Sequence, residues 1–229
     1  MKRIIYACLA ITAFIPKLNG AEETLSRHYR LTDEDKRIIE IKKLDDQSAI
    51  AEFVKNDPSR SVSSTVLDLV NDQTLLADIA KHSIHPIVRR RAFEQLDDQT
   101  VFEFIAKNDT FFEMRQVAVL KMTNQLLRVE IAKKDTHYAV RSIAAHGLEE
   151  TLRAEIAKTD EHPVVRSAIA KTLEAEAFLQ EIVENDKDES VRQSAMSRLD
   201  ALKTKKQAKE ETSESTDEKN KRSQEKRNE

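Results

Sequence analysis

Apolar positions recur along the chain with a single period. Phe53, Ile79, Ile105, Ile131, Ile156 and Ile182 mark six copies separated by 26, 26, 26, 25 and 26 residues. Nine residues after each anchor stands Val62, Val88, Met114, Val140, Val165 or Val191, and seventeen after it Val70, Leu96, Met122, Leu148, Leu173 or Leu199. Four before it stands Ala49, Leu75, Val101, Leu127, Leu152 or Phe178. The apolar offsets −4, 0, +1 and then +9, +13, +17 keep helical spacing in two blocks, split by a polar segment such as KTDEHP or KNDTFF. Each copy is predicted to be a short helix, a tight connection and a second helix. Helices this short cannot hide an apolar face alone, so the copies must stack. Residues 31–47, LTDEDKRIIEIKKLDDQ, match only the second half of the unit, with Arg37 and Leu44 in register. The prediction is an all-α fold: an α-solenoid of six two-helix repeats over residues 31–201, opened by a half-repeat cap.

The connections carry their own signals. His85-Pro86 and His162-Pro163 place proline in the first turn of a second helix, where its missing N–H costs nothing. Ser59 and Asp188 hold the histidine's offset elsewhere and are good N-caps. Ten residues after each anchor stands Ser63, Arg89, Arg115, Arg141, Arg166 or Arg192. Asp109 with Met114-Arg115, Asp135 with Val140-Arg141, Asp160 with Val165-Arg166 and Asp186 with Val191-Arg192, each followed by Ala and Leu or their equivalents at helical spacing, resemble HEAT repeats. The short period is similar to compact bacterial HEAT-like arrays and, more distantly, to variant leucine-rich repeats. In that family the Asp and Arg form a hydrogen-bonded ladder between neighbouring units, and the resemblance implies one here. Ser83 replaces Asp ahead of Arg89 and Ser63 replaces Arg after Asp57. The ladder is therefore expected to be incomplete toward the N-terminus, and that end looser.

Composition supports the helical reading. The 229 residues include 2 glycines, 4 prolines and no tryptophan, which leaves little room for turns needing positive φ. Net charge is −3 with both signs interspersed and no basic stripe, so no nucleic-acid partner is expected. Lys2 and Arg3, the apolar run Ile4–Ile15 and the small residues Gly20 and Ala21 read as a signal peptide over residues 1–20, and hence as export to the periplasm or beyond the cell. The run is too short to span a bilayer, so no stable membrane insertion is expected after cleavage. Cleavage removes Cys8, the only cysteine, and with it disulfides and thiolate chemistry. Residues 202–229 hold no large apolar side chain beyond Leu202 and both charge signs, and are expected to form a disordered charged tail.

Candidate chemistry is sparse. Asp160, His162 and Arg166 look at first like a catalytic group, but the repeat assigns the Asp and Arg to the ladder. His85, His137 and His162 share one offset and could in principle meet a metal ion with Asp135 or Asp160. The same column holds Ser59, Phe111 and Asp188, so capping or loop packing is expected instead, and no metal site or cofactor is predicted. No phosphate loop or Ser–His–Asp order is visible, so no enzyme activity is predicted. Asn108-Asp109-Thr110 fits a glycosylation acceptor. Gly147, inside a second helix, suggests close packing or a bend.

Two faces follow from the columns. On the first helices, Glu52 with Lys55, Asp78 with Lys81, Glu130 with Lys133 and Glu155 with Lys158 are spaced as i,i+3 pairs on a solvated face. On the second helices, offsets +11 and +15 avoid the core and vary: Arg90 with Glu94, Gln116 with Leu120, Ser142 with His146, Ser167 with Lys171. A regular frame with a varied surface suits recognition. The expected function is a monomeric, non-catalytic exported scaffold binding another protein through the concave second-helix face. The alternatives are an enzyme or accessory subunit, since HEAT-like arrays also occur in phycobilin lyases and a family of DNA glycosylases, and a metal-binding envelope protein using the histidine column.

Overall fold

The computed structural model describes residues 31–225; the segment read as a signal peptide lies outside them. Among the described residues there are 13 α-helices, one 3-10 turn and no strand. The chain divides into two compact units, one ending at Phe93 and one beginning at Glu94.

The first unit contains α1 (Asp33–Ile41), α2 (Gln47–Asn56), α3 (Arg60–Val66) with the 3-10 turn Leu67–Leu69, α4 (Gln73–His82) and most of α5 (Pro86–Glu94). Thr32 starts α1 with a capping box, accepting from Asp35 N–H while the Asp35 carboxylate takes the Thr32 N–H. Helix α1 packs on α3, and α2 packs on both α3 and α4. The half-repeat thus behaves as a second helix without a first.

The second unit contains α6 (Gln99–Asn108), α7 (Phe112–Lys121), α8 (Gln125–Lys134), α9 (Tyr138–His146), α10 (Glu150–Thr159), α11 (Pro163–Ala170), α12 (Glu176–Asn185) and α13 (Glu189–Glu225). The pairs α6–α7, α8–α9, α10–α11 and α12–α13 pack as hairpins, and the second helices α7, α9, α11 and α13 pack in sequence against one another. This is a helical repeat array, as the period requires.

The +9 and +17 columns are buried in every copy, and the anchor column in all but the first, where Phe53 is half-buried and Val54 takes the core position. The −4 column differs from expectation. Only Val101 of it is buried; the core instead takes the −3 column, through Ile50, Leu76, Phe102 and Leu179. In the fourth and fifth copies that column holds Arg128 and Arg153, which disguise it as polar.

Helix α13 continues through the segment expected to be disordered. Val191, Ala195 and Leu199 bury its first turns, which pack on α11 and α12. Every residue from Lys203 to Ala208 is exposed, so helix there follows from local propensity, in a stretch rich in Lys, Gln and Ala.

Ser63 and Ser83 are both buried. The Ser83 hydroxyl donates weakly to Val54 O at 3.4 Å, while the Ser63 hydroxyl has no partner. At the same junction Ile84 N–H donates to Lys55 O at 3.1 Å, so main chains meet directly where both side chains are small. A buried hydroxyl without a partner contributes nothing, so Ser63→Ala should change stability by no more than about 0.5 kcal/mol or raise it. Ser63→Arg, which restores the repeat's own residue opposite a serine, should cost about 3 kcal/mol or more as an uncompensated buried charge. Urea unfolding of the two variants measures both.

Candidate functional site

In five of the six copies the turn between the two helices is built around one aspartate. Asp57, Asp109, Asp135, Asp160 and Asp186 each accept, through Oδ1, the N–H two residues on, at 2.8–2.9 Å. The arginine of the preceding copy then closes on the same carboxylate. Arg115 reaches Asp135 with Nε and Nη2, both at 2.8 Å. Arg141 holds Asp160 at 2.8 and 2.9 Å, and Arg166 holds Asp186 at the same distances. The remaining Nη1 of each arginine donates to the carbonyl of its own copy's aspartate, from Arg115 to Asp109 O, Arg141 to Asp135 O and Arg166 to Asp160 O. One planar guanidinium therefore fixes its own turn and the next, a geometry lysine cannot supply. The hydrogen bonds to each aspartate, together with its charge, hold these guanidiniums even higher than their ordinary value against the opposing effect of burial.

The ladder begins in the cap and ends on itself. Arg37 of α1 reaches Asp57 at 3.0 Å, and Arg192, with no copy after it, takes Asp186 O and the Glu189 carboxylate of its own helix. Because a rung runs from the arginine of one copy to the aspartate of the next, Ser63 and Ser83 are the two halves of one rung. Both were replaced, and no charge is stranded.

The opposite edge carries a device absent from the sequence reading. Asp46, Asp72, Asp98 and Asn124 cap the first helices. The following residue clamps the turn after the second helix: Gln47 donates to Leu69 O and accepts from Asn71 N–H, and Gln99 does the same with Lys121 O and Thr123 N–H. Glu150 substitutes a carboxylate that accepts from Glu174 and Ala175 N–H, and these bonds draw it below the usual glutamate range. The signal was an Asp/Asn-Gln dipeptide recurring at the repeat period.

The histidine column is a set of helix starts. His137 Nδ1 accepts from Ala139 N–H and His162 Nδ1 from Val164 N–H, each at 3.3 Å, while His85 Nε2 donates to Asp57 O at 2.9 Å. The Tyr138 ring stacks on both His137 (4.9 Å between centroids) and His162 (4.2 Å), and Phe112 stacks on His137 at 3.7 Å. Capping occupies the Nδ1 atoms and Tyr138 shares both imidazoles, so His137 and His162 do not converge on a common ion. Among the described residues no group of three or more His, Cys, Asp or Glu could hold a metal ion.

The second-helix columns separate. Arg90, Glu94, Leu120, His146 and Lys171 are exposed, whereas Gln116, Ser142 and Ser167 are half-buried. Ser167 Oγ meets Ser194 Oγ of the next copy at 2.8 Å, and Ser142 O accepts from His146 Nδ1–H. At offset +11, Ser167 therefore meets the next copy, while Arg90 is open to solvent. On the first helices the lysines reach between copies: Lys55 to Asp78, Lys133 to Glu155 and Lys158 to Glu181. Glu52–Lys55 also forms the expected i,i+3 pair; side-by-side first helices place +2 of one against −1 of the next, at a spacing the sequence cannot distinguish from i,i+3. Burial, the largest single effect, would raise Asp78 and lower Lys55, but their mutual hydrogen bond, the further bonds to Glu52 and His82 and the opposite charges together outweigh it and stabilise both charges.

A cleft of about 450 Å³ lies between the ends of α8 and α10, bounded by Lys133, Lys134, Glu155, Thr159 and Glu161 over the Arg141–Asp160 rung. Most of its charges already satisfy one another. No helix among the described residues is long and apolar enough to cross a membrane. No protein-family model matches the chain, and no curated protein or solved structure matches it.

Acid tests the rung directly. Burial raises the Asp186 carboxyl, but the hydrogen bonds from Arg166 and from the Asp188 amide more than offset this and leave it below the ordinary range. Its contribution is complete above the unfolded value, about 4, and is lost as pH falls through the lower folded one. Wild type should lose melting temperature steeply below about pH 4, and Asp186→Asn, less stable at neutral pH, should show a flatter acid limb.

Proposed function

We propose that this chain is an exported, monomeric HEAT-like α-solenoid that binds another protein through its second-helix face, without catalysis of its own. The observation that carries this reading is the contrast at offset +15 in the second unit. Leu120, His146 and Lys171 are exposed in consecutive copies of one invariant frame, and they are apolar, aromatic and cationic in turn. The frame's ladder arginines and most outer lysines pair with carboxylates of the array itself. Leu120, at 67% exposure, is poorly placed for a face that meets only water.

Ser167 is engaged with Ser194 of the next copy, and recognition in the second unit is assigned to the exposed +15 positions. Export follows from the N-terminal pattern of Lys2, Arg3 and Ile4–Ile15.

Crosslinking the secreted protein in its native compartment tests the proposal. One specific protein partner should be captured by wild type and lost, by about tenfold or more in yield, from Leu120→Asp with Lys171→Glu. Capture unchanged in that variant removes the face, and the absence of any specific partner removes the function.

A further inference from the structure

The −3 column holds Ile50, Leu76, Phe102 and Leu179 in four copies, all in the core. Arg128 occupies it in the fourth and is 8% exposed. Its Nη2 donates to Met122 O at 2.7 Å, and its Nε has no partner. Every complete rung supplies its arginine with a two-oxygen carboxylate; Arg128 has none, and burial alone pulls its guanidinium below the ordinary arginine value. Arg153, in the next copy, is similar: its Nε is buried without a partner and its Nη1 reaches only Thr172 Oγ1, at 3.4 Å.

Arg128 is deliberately accommodated. A Cβ on Gly147 would stand 2.5 Å from Arg128 Nη1 and 2.9 Å from its Cδ. The bare position at 147 and the arginine at 128 are therefore one device.

Helix capping does not require it. Met122 O ends the turn after α7, and the equivalent carbonyl two copies on, Leu173 O, is served by Arg198 from offset +16, which leaves Leu179 to fill the core. A desolvated guanidinium without a counter-charge is costly where an aliphatic side chain fits. Leu120, 67% exposed and two residues before Met122, adds an apolar component.

We propose that Arg128, seated on Gly147 and seconded by Arg153, receives a carboxylate from an acidic, apolar peptide segment of the partner protein, whose apolar side chains cover Leu120. The site rests on the protein-binding reading above and names the chemistry of the partner. Glu150, whose carboxylate feels Arg153 and Arg198, is committed to the Glu174 and Ala175 amides, so the incoming carboxylate supplies the charge that Arg128 lacks.

The probe is a fluorescein-labelled, C-terminally amidated hexapeptide alternating leucine and glutamate, with a glutamine counterpart, measured by anisotropy on the full chain. Wild type should bind the glutamate peptide about tenfold or more tighter than the glutamine one. Arg128→Leu, which restores the column's usual residue, should lose that preference while melting at or above the wild-type temperature; Gly147→Ala, which keeps the charge but displaces it, should lose it too. No preference in wild type, or a preference undiminished in Arg128→Leu, overturns the site. A marked fall in the melting temperature of Arg128→Leu also overturns it, by making the arginine a structural cap. Retention of the crosslinked partner by Arg128→Leu overturns this site while leaving the protein-binding reading intact.

Discussion

The structure depends on one guanidinium held between two turns. A helix pair this short leaves polar groups at both turns and apolar groups on both faces, and hydrophobic contact alone sets no register between copies. The arginine does so, because its five donors lie in a fixed plane and three of them are committed to acceptors from two different copies. The Arg141 and Asp160 side chains are 5% and 4% exposed, so each is viable only while the other is present. That mutual dependence ties each copy of the second unit to the next.

The same logic accounts for the array's irregular places. At the junction where the rung is missing, both halves are serine, and the main chains come into direct contact through Ile84 and Lys55. At the last copy Glu189 supplies the carboxylate that a further copy would have brought. On the outer face, lysines bridge to the next first helix and repeat the ladder in a weaker, solvated form. A frame so thoroughly self-paired makes its exceptions informative, and Arg128 is the clearest of them.

Much of this was legible in the sequence, because burial and rung formation both act on columns that repeat. The anchors, the +9 and +17 core positions, the half-repeat cap and the Asp and Arg columns could be read directly, while the pairing of those columns came from the resemblance to HEAT repeats. The −3 core column was hidden because Arg128 and Arg153 interrupt it, and −4 was chosen in its place. The Asp/Asn-Gln pairs at 46–47, 72–73, 98–99 and 124–125 recur at the repeat period in the first four copies but are polar, and a search led by hydrophobicity passes over them. Stacking of Phe112, His137, Tyr138 and His162 joins two adjacent columns across three copies, a relation that no single column displays. Ser167 leaves the core of its own copy yet meets Ser194 of the next, another relation that no single column displays.

The central claim is that rung partners stabilise each other across the boundary between copies. A double-mutant cycle on Arg166 and Asp186, built from Arg166→Met, Asp186→Asn and the pair and followed by urea unfolding, measures this coupling. The account predicts that either single change is strongly destabilising, with a coupling energy of about 2 kcal/mol or more. Additive effects, with coupling under about 0.5 kcal/mol, would show that the copies are held by apolar packing alone and would contradict it.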